Sequence, residues 1–187
     1  MRLLAISGSL RGESHNTKLL RAAAQTLPPG AELQLLDPEV LRAIPAYDED
    51  HEQSGFPAPL SVAQLKAAIA SADAVLFATP EYNGSIPGTL KNALDWVSRP
   101  FATNPLKAKP VAVVGSSTGL FGAVWAQAEL RKVLQTIGAQ VLDRELPVGQ
   151  ADDQFDAEGL LVEAALQAAL AEHVAALVAA VPVQAAA

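Results

Sequence analysis

Residues 73–96 read DAVLFATPEYNGSIPGTLKNALDW. The first seven residues are an apolar run of strand length without polar alternation, the pattern of a strand covered on both faces. Leu90, Leu94 and Val97 then recur at helical spacing, and Pro100 ends that helix. A strand that feeds a helix through one loop is the building unit of a parallel α/β sheet. The loop is richer than a plain connection needs. Pro80 and Pro87 restrict its backbone, Gly84 and Gly88 relax it, and Glu81-Tyr82-Asn83 lie between. Such a shelf offers backbone amides and one aromatic face to the polar edge of a flat ring. Ser85 is placed to cap a helix starting near Ile86. Lys91, Asn92, Asp95 and Trp96 read as packing and solvent-side pairing.

The same unit recurs on either side. Strand-length apolar runs occur at 2–7 (RLLAIS), 32–37 (ELQLLD) and 110–116 (PVAVVGS), with a weaker one at 139–146 (AQVLDREL). Leu19, Leu20, Ala23, Ala24 and Leu27 mark a helix after Ser14, and Leu65 with Ile69 marks another. Leu130, Val133, Leu134 and Ile137 mark a further helix, with Gly138 just past its end, and a last helix is expected over roughly 157–180. Strands alternating with helices give a doubly wound α/β fold. The expectation is a flavodoxin-like five-stranded parallel sheet, order 2-1-3-4-5, with helices on both faces, in a single domain covering 1–187. The longest irregular stretch, 38–58, contains YDEDHEQSG and reads as a solvated acidic loop, the alternative being a lid or a subunit contact.

Composition narrows the partners. Half of the 187 residues are apolar, enough for a substantial core. The 13 basic and 20 acidic residues leave a formal charge of −7, which argues against nucleic acid or an anionic membrane as the main partner. With no cysteine, the chain has no disulfide, thiolate nucleophile or cysteine-based metal site, and its three histidines show no metal-ligand spacing. The start lacks a secretory pattern, and Glu163, Glu172 and His173 interrupt the apolar tail from Leu160 to Val183. A soluble cytoplasmic protein is expected.

In such a sheet a ligand sits beyond the carboxyl ends of the strands. Three unusual loops follow strands one, three and four, which are neighbours in the expected order. The first, GSLRGESHNT (8–17), carries Ser9, Ser14, Asn16 and Thr17 as small donors and Arg11 as a planar cation, and it opens into a helix. Free amides at a helix start and an arginine suit a phosphate. The loop is neither a nucleotide P-loop nor a GxGxxG fingerprint. The second is PEYNGSIPG (80–88). The third, GSSTGLFG (115–122), has small residues that let a ring pass close to the backbone, with Gly119 and Gly122 as the points of nearest approach, and Phe121 either packs there or joins the core. Gly115-Ser116-Ser117-Thr118-Gly119 also satisfies G-x-S-x-G, which would make Ser117 a hydrolase nucleophile with an aspartate (Asp143, Asp152 or Asp153) and His173 following in order. Against this, His173 sits within an alanine-rich helix, where it reads as a histidine on a solvated face.

Together GSLRGESHNTKLL (8–20), PEYNGSIPGTLKNALDW (80–96) and GSSTGLFGAVWAQAELRKVLQTIGA (115–139) resemble the NADPH-dependent FMN reductase family, flavodoxin-like proteins that include quinone and chromate reductases. ADDQFDAEGLL (151–161) is similar to that family's approach to its last helix. The resemblance implies FMN as cofactor and NADPH or NADH as co-substrate. It implies Ser9, Arg11, Ser14, Asn16 and Thr17 at the FMN phosphate, Pro80, Glu81, Tyr82 and Asn83 beside the isoalloxazine, and Ser116, Ser117 and Gly119 in the third flavin-contacting loop. It implies a small-molecule electron acceptor such as a quinone, a homodimer or homotetramer, and no catalytic side chain, because the flavin carries the chemistry. An electron carrier of the flavodoxin kind, without its own nicotinamide site, is the alternative; serine hydrolysis and a non-catalytic interaction module rank below it.

Overall fold

The computed structural model describes residues 1–55 and 57–182; Phe56, Val183 and the four residues after it, parts of the 38–58 stretch and of the apolar tail, lie outside the described residues. Six parallel strands form one sheet: β1 (Arg2–Ser7), β2 (Glu32–Leu35), β3 (Ala74–Thr79), β4 (Pro110–Ser116), β5 (Gln140–Val141) and β6 (Pro147–Val148). Their order is β2-β1-β3-β4-β5, with β6 also paired to β4. The helices are α1 (His15–Ala24), α2 (Pro38–Arg42), α3 (Glu49–Gln53), α4 (Leu60–Ser71), α5 (Gly88–Val97), α6 (Val124–Thr136) and α7 (Ala164–Ala179).

Strand alternation divides the core between two faces. Leu4, Ile6, Val75, Phe77, Val111 and Val113 pack against α4, α5 and α6. Leu3, Ala5, Ala74, Leu76, Ala112 and Val114 pack against α1 and α7. The small side chains on the second face let α1 and α7 lie close. Both faces being covered, β1, β3 and β4 needed no polar alternation, which is why they stood out in the sequence.

The fifth strand departs from the expected single run over 139–146. β5 pairs only with Pro110 and Val111, and β6 pairs only with Gly115 and Ser116. Between them the chain leaves the edge and returns. The N–H of Leu142 donates to the Val111 carbonyl, and the N–H of Gly115 donates to the Leu146 carbonyl, so Val113 faces a gap. His173 of α7, 3% exposed, fills it and hydrogen-bonds the Val113 backbone. The expectation of a solvated His173 is therefore corrected: a gapped ladder leaves a backbone group that needs a partner, and a buried imidazole supplies it. From α6, the Gln127 carboxamide accepts from Leu146 N–H, and Arg131 donates to the Arg144 carbonyl and the Glu145 carboxylate.

Two further expectations shift. The last helix begins at Ala164 rather than near 157, because Leu161 bridges to Phe155 and the Asp156 carboxylate accepts from Leu160 N–H in a turn of its own. The acidic 38–58 stretch contains α2 and α3, started by the carboxylates of Asp37 and Asp48, which accept from the N–H of Glu39 and Asp50. It is also anchored to α5. The indole N–H of Trp96 and the Asn92 amide both donate to the Pro45 carbonyl, and Tyr47 N–H donates back to Asn92 Oδ1.

Candidate active site

Register aligns the strand ends. Ser7 lies opposite Ala78, and Thr79 lies opposite Gly115, so the loops leaving β1, β3 and β4 emerge side by side. They enclose a groove of about 250 Å³. Ser9, Arg11, Ser14 and Asn16 line it from the first loop, Pro80, Glu81 and Tyr82 from the second, and Ser116 and Ser117 from the third. Thr17, Asn83 and Gly119 do not line it. His15 and Thr118 do, and sequence reasoning missed both. A histidine directly after a helix cap gives no signal of its own; only the fold brings Asp152 to it, at 3.0 Å from Nε2.

The first loop is folded by its own hydroxyls. Ser14 caps α1, its Oγ accepting from Thr17 N–H at 3.3 Å. Thr17 Oγ1 donates to Ser7 Oγ at 3.0 Å, and Ser7 Oγ also accepts from Ser9 N–H. The Arg11 guanidinium is exposed and makes no hydrogen bond or ion pair among the described residues, leaving a free cation beside a helix start.

The Asn16 side chain is spent within the fold. Its Nδ2 donates to the Ser116 carbonyl at 2.8 Å, and Ser116 N–H donates to its Oδ1 at 3.0 Å. This joins the start of α1 to the end of β4. Ser116 is 1% exposed, and its Oγ is buried without a partner in the groove wall.

In the second loop Asn83 (φ 56°) and Gly84 (φ 74°) form a two-residue turn between Tyr82 and Ser85, whose N–H groups donate to each other's carbonyls at 2.9 and 3.1 Å. Left-handed angles at both central positions are what Asn-Gly favours. Ser85 is therefore locked in the hairpin and does not cap α5, which starts at Gly88 after Pro87. The hairpin lifts Asn83 away from the groove and leaves Tyr82 51% exposed at its rim.

Glu81 ties the second loop to the third. Its Oε2 accepts from the N–H groups of Trp125 and Ala126, each at 3.1 Å. Helix α6 has no capping side chain of its own, so Glu81 supplies the missing acceptor and a negative charge at its positive end. Glu129 of α6 returns the contact, accepting from Ile86 N–H at 3.4 Å.

The third loop runs against residues 147–151. Ser117 N–H donates to the Val148 carbonyl, and the Ser117 carbonyl accepts from Ala151 N–H. A Cβ on Gly122 would lie 2.5 Å from Val148 N, so what approaches this glycine is the chain's own backbone rather than the expected ring. A Cβ on Gly119 would meet only Ser117 Oγ, at 3.7 Å, leaving that position open. Phe121 joins neither groove nor core: it is 58% exposed and packs edge to face on Trp125.

A nucleophile elbow is not formed here. Ser117 is followed by a helix only from Val124, and both its backbone groups are engaged by 148–151. His173 is engaged with Val113 on β4.

A family model for NADPH-dependent FMN reductases matches residues 1–153. The chain belongs to the NADPH-dependent FMN reductase family. Over 164 residues it is 43% identical to an NAD(P)H-dependent FMN reductase of Pseudomonas aeruginosa, covering 87% of this chain and 85% of that one. It is 37% identical over 164 residues to a 2-hydroxy-1,4-benzoquinone reductase of a Burkholderia species, covering 87% and 86%. The solved structure of FerB, a flavoenzyme NAD(P)H:(acceptor) oxidoreductase of Paracoccus denitrificans, is similar with a TM-score of 0.84 at 35% identity, covering 96% of each chain. The groove of this FMN reductase family member fits a phosphorylated flat ligand on its own terms. Its lining holds an unpaired guanidinium and the start of α1 beside residues of the second and third loops.

Proposed function

We propose that this chain is an FMN-dependent NAD(P)H oxidoreductase that passes two electrons from a reduced nicotinamide to a quinone or similar small acceptor. The observation that carries this reading is the free Arg11 guanidinium in the lining of a groove whose three loops are cross-tied by Asn16 and Glu81. Bound FMN supplies reversible two-electron acceptance, and the protein supplies binding, orientation and electrostatics.

In this reading Ser9, Arg11 and Ser14 hold the phosphate directly. Asn16 and Thr17 serve it as positioning residues, through β4 and β1, since both side chains are already bonded. Pro80, Glu81 and Tyr82 form one wall for the ring, with Asn83 at the hairpin above it, and Ser116, Ser117 and Gly119 form the other. The N–H groups of Tyr82, Ser116 and Ser117 are engaged within the fold, so those of Glu81, Asn83 and Gly119 are the ones to face negative charge developing on a bound ring. No side chain is asked to act as acid, base or nucleophile.

The assembly belongs to the same reading. Leu120, Phe121 and Trp125, in the third loop and the first turn of α6, are more than half exposed, as is Tyr82 of the second loop. A second copy covering them, in a homodimer or homotetramer, removes that apolar area from water. Among the described residues no helix is long and apolar enough to cross a membrane, and we assign the reaction to the cytoplasm.

Reconstitution tests the reading. The purified chain mixed with FMN is expected to retain a yellow chromophore through gel filtration and to oxidise NADPH or NADH with benzoquinone in a ping-pong pattern. A protein that takes up no FMN overturns it; one that binds FMN but turns over neither nicotinamide is a carrier instead.

A further inference from the structure

The tip of the second loop carries a reactive pair outside the groove. The chain has four asparagines: Asn16, Asn83, Asn92 and Asn104. Three of them spend both polar atoms of the carboxamide inside the fold. Asn16 grips the Ser116 peptide, Asn92 joins the Pro45 carbonyl to Tyr47 N–H, and Asn104 joins the Ile137 carbonyl to Leu106 N–H. Asn83 is exposed, and its carboxamide makes no hydrogen bond among the described residues. The N–H of the next residue, Gly84, is equally unengaged. A Cβ built on Gly84 would meet nothing within 4 Å, so no neighbouring group shields the pair.

An unbonded carboxamide in water, followed by a backbone nitrogen with no side chain beside it, is the arrangement in which asparagine cyclises onto its own chain. Glycine helps twice: it lacks the Cβ that would crowd the nitrogen, and it leaves the backbone free to swing into line. We propose that Asn83 is a site of spontaneous deamidation. The Gly84 nitrogen attacks the side-chain carbonyl carbon of Asn83. The new N–C bond closes a succinimide ring, the bond to the side-chain nitrogen breaks, and ammonia leaves with the proton that Gly84 gives up. Water then opens the ring at either carbonyl, leaving aspartate or isoaspartate. The net change is amide plus water to acid plus ammonia, with nothing oxidised or reduced.

The fold sets the pace. Asn83 is held at φ 56°, and the two hydrogen bonds between Tyr82 and Ser85 close the turn, so the ring forms in the fraction of molecules whose turn has opened. Tyr82 also lines the flavin groove. A ligand seated against Pro80, Glu81 and Tyr82 favours the closed loop and shrinks the open fraction. On the reductase reading, on which this second step rests, FMN therefore shields Asn83, and the modification falls on cofactor-free molecules. Its product sets a carboxylate beside a ring that gains negative charge on reduction, which leaves an aged chain a poorer reductase.

Peptide mapping of aged protein tests the site. After incubation of the FMN-free full chain at mildly alkaline pH, the tryptic peptide 67–91 is expected to gain the mass difference between an amide and an acid and to split into aspartyl and isoaspartyl forms. The isoaspartyl form should accept a methyl group from an isoaspartyl methyltransferase. Peptides carrying the other three asparagines should stay unchanged over the same period. Gly84→Ala is expected to slow the conversion at least tenfold. Because Gly84 has φ 74°, where alanine is strained, Asn83→Gln is the second variant; its longer side chain must close a larger ring and should slow the reaction as much. An unaltered 67–91 peptide, equal conversion at the bonded asparagines, or undiminished conversion in both variants overturns the proposal. Saturating FMN should slow the wild-type reaction at least threefold, and equal rates in a protein that has taken up the flavin overturn the shielding. A protein that takes up no FMN defeats the reductase reading instead, and the result for the free chain is still readable.

Discussion

The Asn16 carboxamide grips the Ser116 peptide from both sides, donating to its carbonyl at 2.8 Å and accepting from its N–H at 3.0 Å. Two residues a hundred positions apart thus fix the distance between the first and third loops. Asn16→Ala leaves two buried backbone groups unpaired at about 1–3 kcal/mol each. The variant should unfold at a distinctly lower urea concentration and release FMN more readily. Asn16→Asp keeps the acceptor, loses the donor and should fall between.

Glu81 reaches across to start a helix that has no cap of its own. Glu81→Ala is expected to cost about 1 kcal/mol, as the loss of a capping side chain does. Glu81→Gln retains an acceptor oxygen and should recover part of that. Thermal unfolding of the FMN-free protein separates this effect from any on cofactor affinity.

Two glycines of the third-loop region should behave oppositely. A Cβ on Gly149 would sit 2.2 Å from the Leu120 carbonyl oxygen, so Gly149→Ala must displace backbone and should cost on the order of 1–3 kcal/mol in melting experiments. Gly119 has open space, and Gly119→Ala should change stability by no more than about 0.5 kcal/mol. Its effect, read by flavin titration, should fall on FMN affinity.

His173 makes stability depend on pH. Burial, the largest cause, and the nearby Arg144 and Arg131 lower its pKa from the ordinary 6.5 to about 4, against the opposing effect of its bond to Val113. The unfolded chain therefore binds a proton more readily than the folded one. The stabilisation is complete above pH 6.5 and is lost as pH falls towards 4. The urea midpoint of the wild type should drop between pH 7 and pH 5 by more than that of His173→Gln.

The order of the sheet was legible because β1, β3 and β4 are buried on both faces and read as unbroken apolar runs. The three loops were legible as departures from what a strand-to-helix turn requires. What was not legible depended on partners distant in sequence. Asn16 and Thr17 look like free donors in GSLRGESHNT, yet the fold engages both their side chains. Ser85 looks like a cap, but Asn83-Gly84 commits it to a hairpin first. His15 lines the groove, and only the fold brings Asp152 beside it. The apolar run at 139–146 does not reveal that it breaks in the middle, since the break is held by Gln127, Arg131 and His173 from other helices.

That break bears on how the protein behaves at high concentration. The outer strand beyond β4 is two short pieces separated by the Asp143–Leu146 excursion, with an imidazole occupying the intervening backbone site. An incoming chain that tried to add as another strand would find no continuous row of donors and acceptors to copy. Interrupted edges of this kind are a known protection against sheet-to-sheet aggregation, so the residue that fills the gap inside one molecule also helps to keep neighbouring molecules apart.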